Sequence, residues 1–99
     1  LEMARIDAGA VDTARRWTRP SEIVAGAREQ VEASLRDHRI VIDLGGDEPV
    51  EVDPRLTASA LAHLLENAAQ YAPGGTVIAL TAAVRDAALV IDVRDHGPG

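Results

Sequence analysis

Residues 61–73 constrain the fold more than any other part of the sequence, because they separate into two faces when placed on a helix. One face has the apolar period of an amphipathic helix and is expected to pack against a sheet. Its apolar residues are Leu61, Leu64, Leu65, Ala68 and Ala72. The polar face carries Ser59, His63, Glu66, Asn67 and Gln70. Amide, imidazole and carboxylate groups in one narrow arc are suited to binding a ligand.

Turn residues and alternating apolar residues divide the rest of the chain. Asp53 and Pro54 predict the start of the amphipathic helix, because Asp accepts from free N–H groups and Pro loses no bond there. Residues 73–75, Pro-Gly-Gly, predict its end. A second helix is expected at residues 20–37, with a buried face of Ile23, Val24, Ala27, Val31 and Leu35. Strands are expected at residues 13–18, 39–44, 50–52, 76–84 and 88–94, the last two forming an antiparallel hairpin.

The order of these elements predicts the fold class. Strand, helix, strand, strand, helix, strand, strand favours a mixed sheet with both helices on one face, which is a two-layer α/β (α+β) sandwich. The length of 99 residues suits one small domain. Trp17 and Tyr71 are the only aromatic residues, so the core is expected to be aliphatic. We expect Trp17 to anchor a sheet edge onto a helix.

The charge excludes some functions. Sixteen acidic residues oppose ten basic ones, all of them Arg, which gives a net charge of −6. Without a basic block beyond Arg15, Arg16 and Arg19, nucleic-acid binding is not expected. An anionic ligand such as a nucleotide needs a bound cation or backbone donors to offset this field. The chain has no cysteine, which rules out disulfides and thiolate metal sites. No apolar run approaches the roughly 18 residues of a membrane span.

Two short patterns are candidate sites, each with a simpler explanation. In Asp95-x-Gly97-x-Gly99 the glycines allow the backbone to approach a flat ligand, and the Asp95 carboxylate can accept a hydrogen bond from an amino group. Taken alone, such a pattern is more often a turn than a site. The Asn67 amide oxygen suits Mg²⁺, although it also fits a surface Asn. Glu66 can take a proton from a nucleophile, or be a solvated carboxylate. His63 can contact phosphate, or simply be exposed.

The two patterns together resemble a known family. HLLENAAQYAP (63–73) and DHGPG (95–99) resemble the N box and first glycine box of the ATP-binding domain of sensor histidine kinases, in the GHKL superfamily with its Bergerat-type ATPase fold. MARIDAGA (3–10) resembles the end of the dimerisation helix. Arg-Arg-Trp (15–17) before a Pro-started helix is most similar to potassium-responsive, Kdp-type sensors.

The resemblance implies two parts and a boundary. Residues 1–10 correspond to the end of the dimerisation-domain helix and its linker. Residues 11–99 correspond to a partial ATP-binding domain that is C-terminally truncated, since the nucleotide lid, second glycine box and last strands would follow Gly99. We therefore expect the isolated fragment to be inactive and to bind ATP weakly or not at all. An uncovered sheet surface or strand edge also predicts self-association.

The resemblance also implies roles for particular residues. Asn67 would coordinate the Mg²⁺ that bridges the ATP phosphates, and Asp95 would accept from the adenine amino group. Glu66 would help to activate the acceptor histidine. The other nucleotide-binding residues would be Gln70, Tyr71, Gly97 and Gly99. The implied reaction is phosphoryl transfer from ATP to a histidine of the dimerisation domain, and from there to a response regulator. The implied parent is a bacterial inner-membrane sensor with this domain in the cytoplasm, in potassium or osmotic sensing.

Two positions depart from the family pattern. Position 63 is His where Asn is usual, and position 70 is Gln where Lys is usual, which removes a positive charge near the phosphates. One alternative is therefore a nucleotide-binding or protein-interaction module without kinase activity. Another is a different GHKL ATPase or an anti-sigma serine kinase. Those ATPases carry Glu four residues before the Asn, and this chain has His63 there.

Overall fold

The computed structural model describes residues 14–71 and 75–96. The elements are β1 (Arg16–Thr18), α1 (Pro20–Gln30), a 3-10 helix (Glu32–Leu35), β2 (Arg39–Leu44), β3 (Val50–Val52), α2 (Pro54–Tyr71), β4 (Val77–Arg85) and β5 (Ala88–His96). This order confirms the predicted sequence of strands and helices. The expectations for residues 1–10, 72–74 and 97–99, including those for Ala72, Gly97 and Gly99, lie outside the described residues.

The buried carboxylate of Asp53 fixes the start of α2. Its Oδ1 accepts from the backbone N–H groups of Arg55 at 3.0 Å and Leu56 at 3.2 Å. Its carbonyl oxygen accepts from the N–H of Thr57 at 3.0 Å and from the Thr57 hydroxyl at 2.7 Å. These bonds satisfy the donors that every helix leaves free at its first turn. The Asp-Pro signal in the sequence therefore marks this boundary correctly.

Helix α1 is shorter than predicted. It begins at Pro20 as expected, but it ends at Gln30 and a 3-10 helix follows. Val31 lies between them with φ −120° and ψ 22°, and its N–H bonds to the Arg28 carbonyl only three residues back. This tighter winding replaces the predicted continuation to residue 37. The predicted apolar face is nevertheless buried along its whole length, including Val31 and Leu35.

The strands form two separate ladders. Strand β4 pairs in parallel with β2 and antiparallel with β5, which confirms the mixed sheet. Strands β1 and β3 pair antiparallel in a ribbon of their own. A two-residue turn at Asp86 and Ala87 joins β4 to β5, with φ of 51° and 62°. Positive φ at both positions is the type I′ geometry, whose twist matches that of a hairpin.

One face of the three-stranded sheet is covered by the helices. The buried strand residues alternate along β4 and β5 and contact the apolar faces of α1 and α2. They are Ile78, Leu80, Ala82, Leu89, Ile91 and Val93. On the opposite face Val41 of β2 is 45% exposed. The described residues thus form the two-layer α+β sandwich predicted from the order of elements, and their core is aliphatic.

The role predicted for Trp17 is wrong. Its side chain is 72% exposed and anchors no helix. The cause is the register of the β1–β3 ribbon, in which Thr18 lies opposite Val50 and is buried, while Trp17 lies opposite the exposed Glu51. Neighbouring residues of a strand point to opposite faces, so burial of Thr18 turns the indole outward.

The loop between β2 and β3 is tied to the start of α1 through Asp47. One carboxylate oxygen accepts from the Ser21 N–H at 2.9 Å and the other from the Ser21 hydroxyl at 2.8 Å. The Asp47 carbonyl accepts from Nη1 of Arg19 at 2.8 Å. The two Ser21 bonds, with the Arg19 charge adding to them, hold the pKa of Asp47 below its ordinary value.

Removing the Asp53 carboxylate should destabilise the domain through α2. We expect Asp53→Ala to lower the free energy of unfolding by about 1–3 kcal/mol, because it removes a helix cap and the bond that Oδ2 accepts from the Ala14 N–H. Urea unfolding followed by circular dichroism measures this. Asp37→Ala, at an exposed Asp, is the control. Equal losses in the two variants would contradict the capping role.

The bonds to Asp47 predict a pH dependence. A carboxyl with a lowered pKa in the folded state stabilises that state above its unfolded pKa, and loses this effect as pH falls through the folded pKa. The deficit of Asp47→Ala relative to the wild type should therefore be largest near neutral pH and shrink in acid. Thermal unfolding across an acid pH series measures it. A deficit that stays constant with pH would contradict the assigned cause.

Candidate functional site

The polar face of α2 faces away from the core as the sequence predicts. Ser59, His63, Glu66 and Gln70 are exposed, whereas Leu61, Leu65 and Ala68 on the opposite side are buried. Leu64 is half-buried at the edge of the apolar stripe. The helix therefore uses one face for packing and presents a continuous row of polar groups on the other.

Asn67 differs from its polar neighbours because it is half-buried. At 100° per residue it lies at the border of the polar arc, between exposed His63 one turn earlier and the half-buried Leu64 beside it. Tyr71 follows one turn later, ends α2 and is 72% exposed. A half-buried amide at the edge of an apolar surface can be approached by a ligand from fewer directions than a fully solvated amide. This position suits a fixed ligand contact.

Asp95 extends the covered face of β5. Leu89, Ile91 and Val93 are buried on that face, and Asp95 is the next residue in the alternation and half-buried. In the β4–β5 ladder it lies opposite Ile78, near the start of the strand that follows α2. The Asp95 carboxylate is therefore on the sheet face that the helices cover. It lies at the end of the sheet where β4 begins after α2. The strand predicted from the sequence ends at residue 94 and leaves Asp95 without a face, although the alternation of residues 89–95 contains that signal.

The side chains around Asn67 suit a metal ion that binds together with a phosphate-bearing ligand. No group of three or more His, Cys, Asp or Glu side chains is placed to hold a metal ion within the described ranges 14–71 and 75–96. Mg²⁺ commonly binds through one or two protein oxygens, with substrate phosphates and waters completing its shell. A single amide oxygen from Asn67 fits that pattern. The same arc supplies no Lys or Arg, so any anion there relies on the metal for its counter-charge.

Two grooves of the described residues lie away from the polar face of α2. One, of about 500 Å³, lies between the end of α1 and β2 and includes Arg28, Glu32 and His38. Another, of about 320 Å³, lies on the uncovered sheet face around Asp43, Thr81 and Asp92. Neither of these two grooves is lined by a residue of α2. Among the described residues, no helix has the length and apolar character needed to cross a membrane.

The fold is that of histidine kinase catalytic domains. The Acinetobacter baumannii histidine kinase AdeS superposes with a TM-score of 0.74 at 22% identity, over 90% of this chain and 45% of that one. The mycobacterial sensor histidine kinase MprB gives a TM-score of 0.71 at 20% identity, over 87% of this chain and 58% of that one. These similarities confirm the predicted two-layer fold.

The sequence of the chain is also similar to that of a sensor protein. The chain is 36% identical over 102 residues to the sensor protein KdpD of Escherichia coli strain K12, which matches all of this chain. The match covers 11% of that protein. No family model matches the chain. The resemblance to sensor histidine kinases is thus confirmed, and the chain has the fold of a histidine kinase catalytic domain.

Proposed function

We propose that this chain forms one wall of the ATP·Mg²⁺ pocket of a sensor histidine kinase of the Kdp type. The observation that carries the proposal is the position of Asn67, half-buried at the edge of the α2 polar face. Asp95 supports it, because its carboxylate lies on the same side of the sheet. Residues 1–10 would be the end of the dimerisation helix and residues 11–99 a partial catalytic domain.

Each residue of the proposed site has a separate task. The Asn67 amide oxygen would hold Mg²⁺, which neutralises phosphate charge when bound. Gln70 and Tyr71, exposed on the last turn of α2, would contact the nucleotide by hydrogen bonding and by ring contact. Asp95 would accept from the adenine amino group. Gly97 and Gly99 would allow backbone to approach the nucleotide closely.

Glu66 is proposed as the catalytic carboxylate. It is exposed and adjacent to Asn67, so it can reach a second domain that presents a histidine to the bound phosphates. Its oxygen would accept a proton from one imidazole nitrogen while the other nitrogen attacks the γ-phosphorus and the bond to the β-phosphate oxygen breaks. Positioning and charge neutralisation would supply most of the rate, as in phosphoryl transfer generally.

The partners and location follow from the same proposal. The phosphoryl group would pass from ATP to a histidine of the dimerisation domain and then to a response regulator. The domain would lie in the cytoplasm, as part of a sensor anchored in the inner membrane. Response to potassium is the finest level of the proposal. It is supported by the similarity to KdpD and by the Arg-Arg-Trp segment at residues 15–17.

Asn67 is the only asparagine of the chain, and its removal is the sharpest test of the proposal. In a protein carrying this domain with its acceptor histidine, Asn67→Ala should lower autophosphorylation by about a hundredfold or more, the size typical for loss of one charge-stabilising contact. The fold should persist, because the side chain is only half-buried. Radiolabel transfer from ATP and circular dichroism measure the two effects.

The matched control removes the amide of Gln30, which is exposed at the end of α1. Gln30→Ala should autophosphorylate at the wild-type rate. Activity retained by Asn67→Ala would refute the Mg²⁺ role. A wild type that never autophosphorylates, but binds nucleotide with Mg²⁺ and loses this binding in Asn67→Ala, would instead favour the alternative, a nucleotide-binding module without kinase activity.

The affinity of the 99-residue chain for Mg·ATP should be low. Gln70 supplies no positive charge, and the net charge of −6 opposes an anionic ligand. Isothermal titration should therefore give a dissociation constant well above the low-micromolar range. A low-micromolar value would show that the described wall, with Asp95 and its loop, is already a sufficient pocket.

A further inference from the structure

Strand β2 is at one edge of the three-stranded sheet. The strand order is β2-β4-β5, so within the described ranges 14–71 and 75–96 β2 pairs with β4 alone. Its helix-facing side chains pack on the core but are only half-buried, and they belong to Ile40, Ile42 and Leu44. An edge of this kind offers backbone N–H and C=O groups, and apolar area, to a further strand.

The backbone bonds show which residues of β2 face this edge. The Arg39 N–H donates to the Thr76 carbonyl at 3.4 Å, on the side of β4. The Gly45 N–H donates to the Ala82 carbonyl on the same side at 2.8 Å. Because backbone groups alternate in direction along a strand, the odd-numbered residues of β2 face β4. The N–H and C=O groups of residues 40, 42 and 44 therefore face the edge.

The charges of β2 are self-complementary. Arg39, Val41 and Asp43 are exposed on the sheet face that the helices leave uncovered. The positive and the negative side chain are equally spaced on either side of Val41, which is 45% exposed. An antiparallel copy of the same strand thus presents Asp opposite Arg and Arg opposite Asp. The ladder neighbours of these residues on β4 are uncharged and are Val77, Ala79 and Thr81.

We propose that two copies of this chain pair along their β2 edges, antiparallel, with Val41 at the two-fold axis. In this register Arg39 of each copy lies opposite Asp43 of the partner subunit, in a non-hydrogen-bonded pair with Cα atoms about 4.5 Å apart. Ile40 lies opposite Ile42 of the partner subunit, and these two residues exchange both of their N–H···O bonds. The two sheets become one. This surface is separate from the proposed nucleotide wall on α2.

Charge selects both the register and the partner. Hydrogen bonding requires the edge-facing residues to lie opposite each other, so alternative registers differ by steps of two residues. One such step places Val41 opposite Arg39 or Asp43 of the partner subunit and removes the ion pairs. An extended segment of another protein could bond to the edge backbone, but it would need the same order of charges. A second copy carries that order by symmetry.

Strand β5, at the other end of the strand order, is less suited to self-pairing. A symmetric register that pairs Asp92 with Arg94 would place Ile91 opposite Asp95, which sets a carboxylate against an apolar side chain. The covered side chains of β5 also gain little from a further strand, because they are already buried. They are Leu89, Ile91 and Val93.

Charge exchange across the interface tests the proposal. Sedimentation equilibrium of the 99-residue chain should show monomers and dimers in exchange below about 1 mM, a weak association because the contact is small. Arg39→Asp and Asp43→Arg should each weaken association by about tenfold or more, because like charges then lie opposite one another. An equimolar mixture of the two variants should associate like the wild type, since each variant meets the opposite charge in the other.

The matched controls make the same changes in net charge on other strands. Arg85→Asp on β4 and Asp92→Arg on β5 should both associate like the wild type. Arg39 and Asp43 are exposed, so circular dichroism should show the fold unchanged in their variants.

A disulfide trap reports the register. The chain has no cysteine, so Val41→Cys introduces one thiol per copy. Two such thiols at the two-fold axis lie within disulfide reach, and oxidation with diamide should give a covalent dimer. Leu56→Cys is the control, because Leu56 on α2 is also 45% exposed, and it should form covalent dimers far more slowly.

Several outcomes would overturn the proposal. A wild type that is monomeric at about 1 mM would reject the interface. A mixture of Arg39→Asp and Asp43→Arg that stays as weak as its components would reject the ion pairs. Equal losses in Asp92→Arg and Asp43→Arg would assign the effect to overall charge or to β5. Equal cross-linking through Val41→Cys and Leu56→Cys would show random collision.

Discussion

The hydrogen bonds accepted by the buried carboxylate of Asp53 are the interactions on which the rest of the structure depends. Asp53 joins three segments at one point: its side chain accepts from the Ala14 N–H before β1, it follows the last residue of β3, and it caps α2. Because a helix cap fixes where the first turn begins, it also fixes which residues of α2 face the sheet. A shift of one residue would rotate the helix by about 100° and take Leu61 and Leu65 out of the core.

That rotation determines the chemistry of the surface. With Leu61, Leu65 and Ala68 packed inward, the arc of His63, Glu66 and Gln70 faces outward and Asn67 lies at its border. The same sheet that receives the apolar face carries Asp95 on that side, at the end of β5. The aliphatic core and the polar wall are thus two results of one helix orientation. This explains how a small domain with an aliphatic core can hold a specific site.

The sequence predicts well wherever the signal is local. Asp53 and Pro54 mark the start of α2, and alternation in residues 39–44 and 50–52 matches β2 and β3 in full. It fails where the outcome depends on a distant partner. Trp17 is turned outward because β1 pairs with β3, about 35 residues away in the sequence. Val31 leaves the helical conformation, although the composition of its segment favours a helix. The bonds between Asp47 and Ser21 are likewise invisible in the sequence.

The site is predictable in part for the same reason. Glu66, Asn67 and Gln70 share one helix, so their spacing alone predicts their common face, and the alternation of residues 89–95 contains the signal for the face of Asp95. Their proposed use as ligands for Mg²⁺ and ATP depends on groups that meet them across space, which spacing does not reveal. The roles of Gly97 and Gly99 remain predictions, as does self-association of the chain.

The central claim is that the polar face of α2 and the end of β5 form one nucleotide-binding wall. Amide chemical-shift mapping by NMR tests it most directly, because it detects weak binding residue by residue. Titration with Mg·ATP should shift the amides of residues 63–71 and of Asp95, with the Asn67 side-chain amide responding only when Mg²⁺ is present. Shifts confined to the groove beside Arg28 and His38, with none on α2 or at Asp95, would contradict the account.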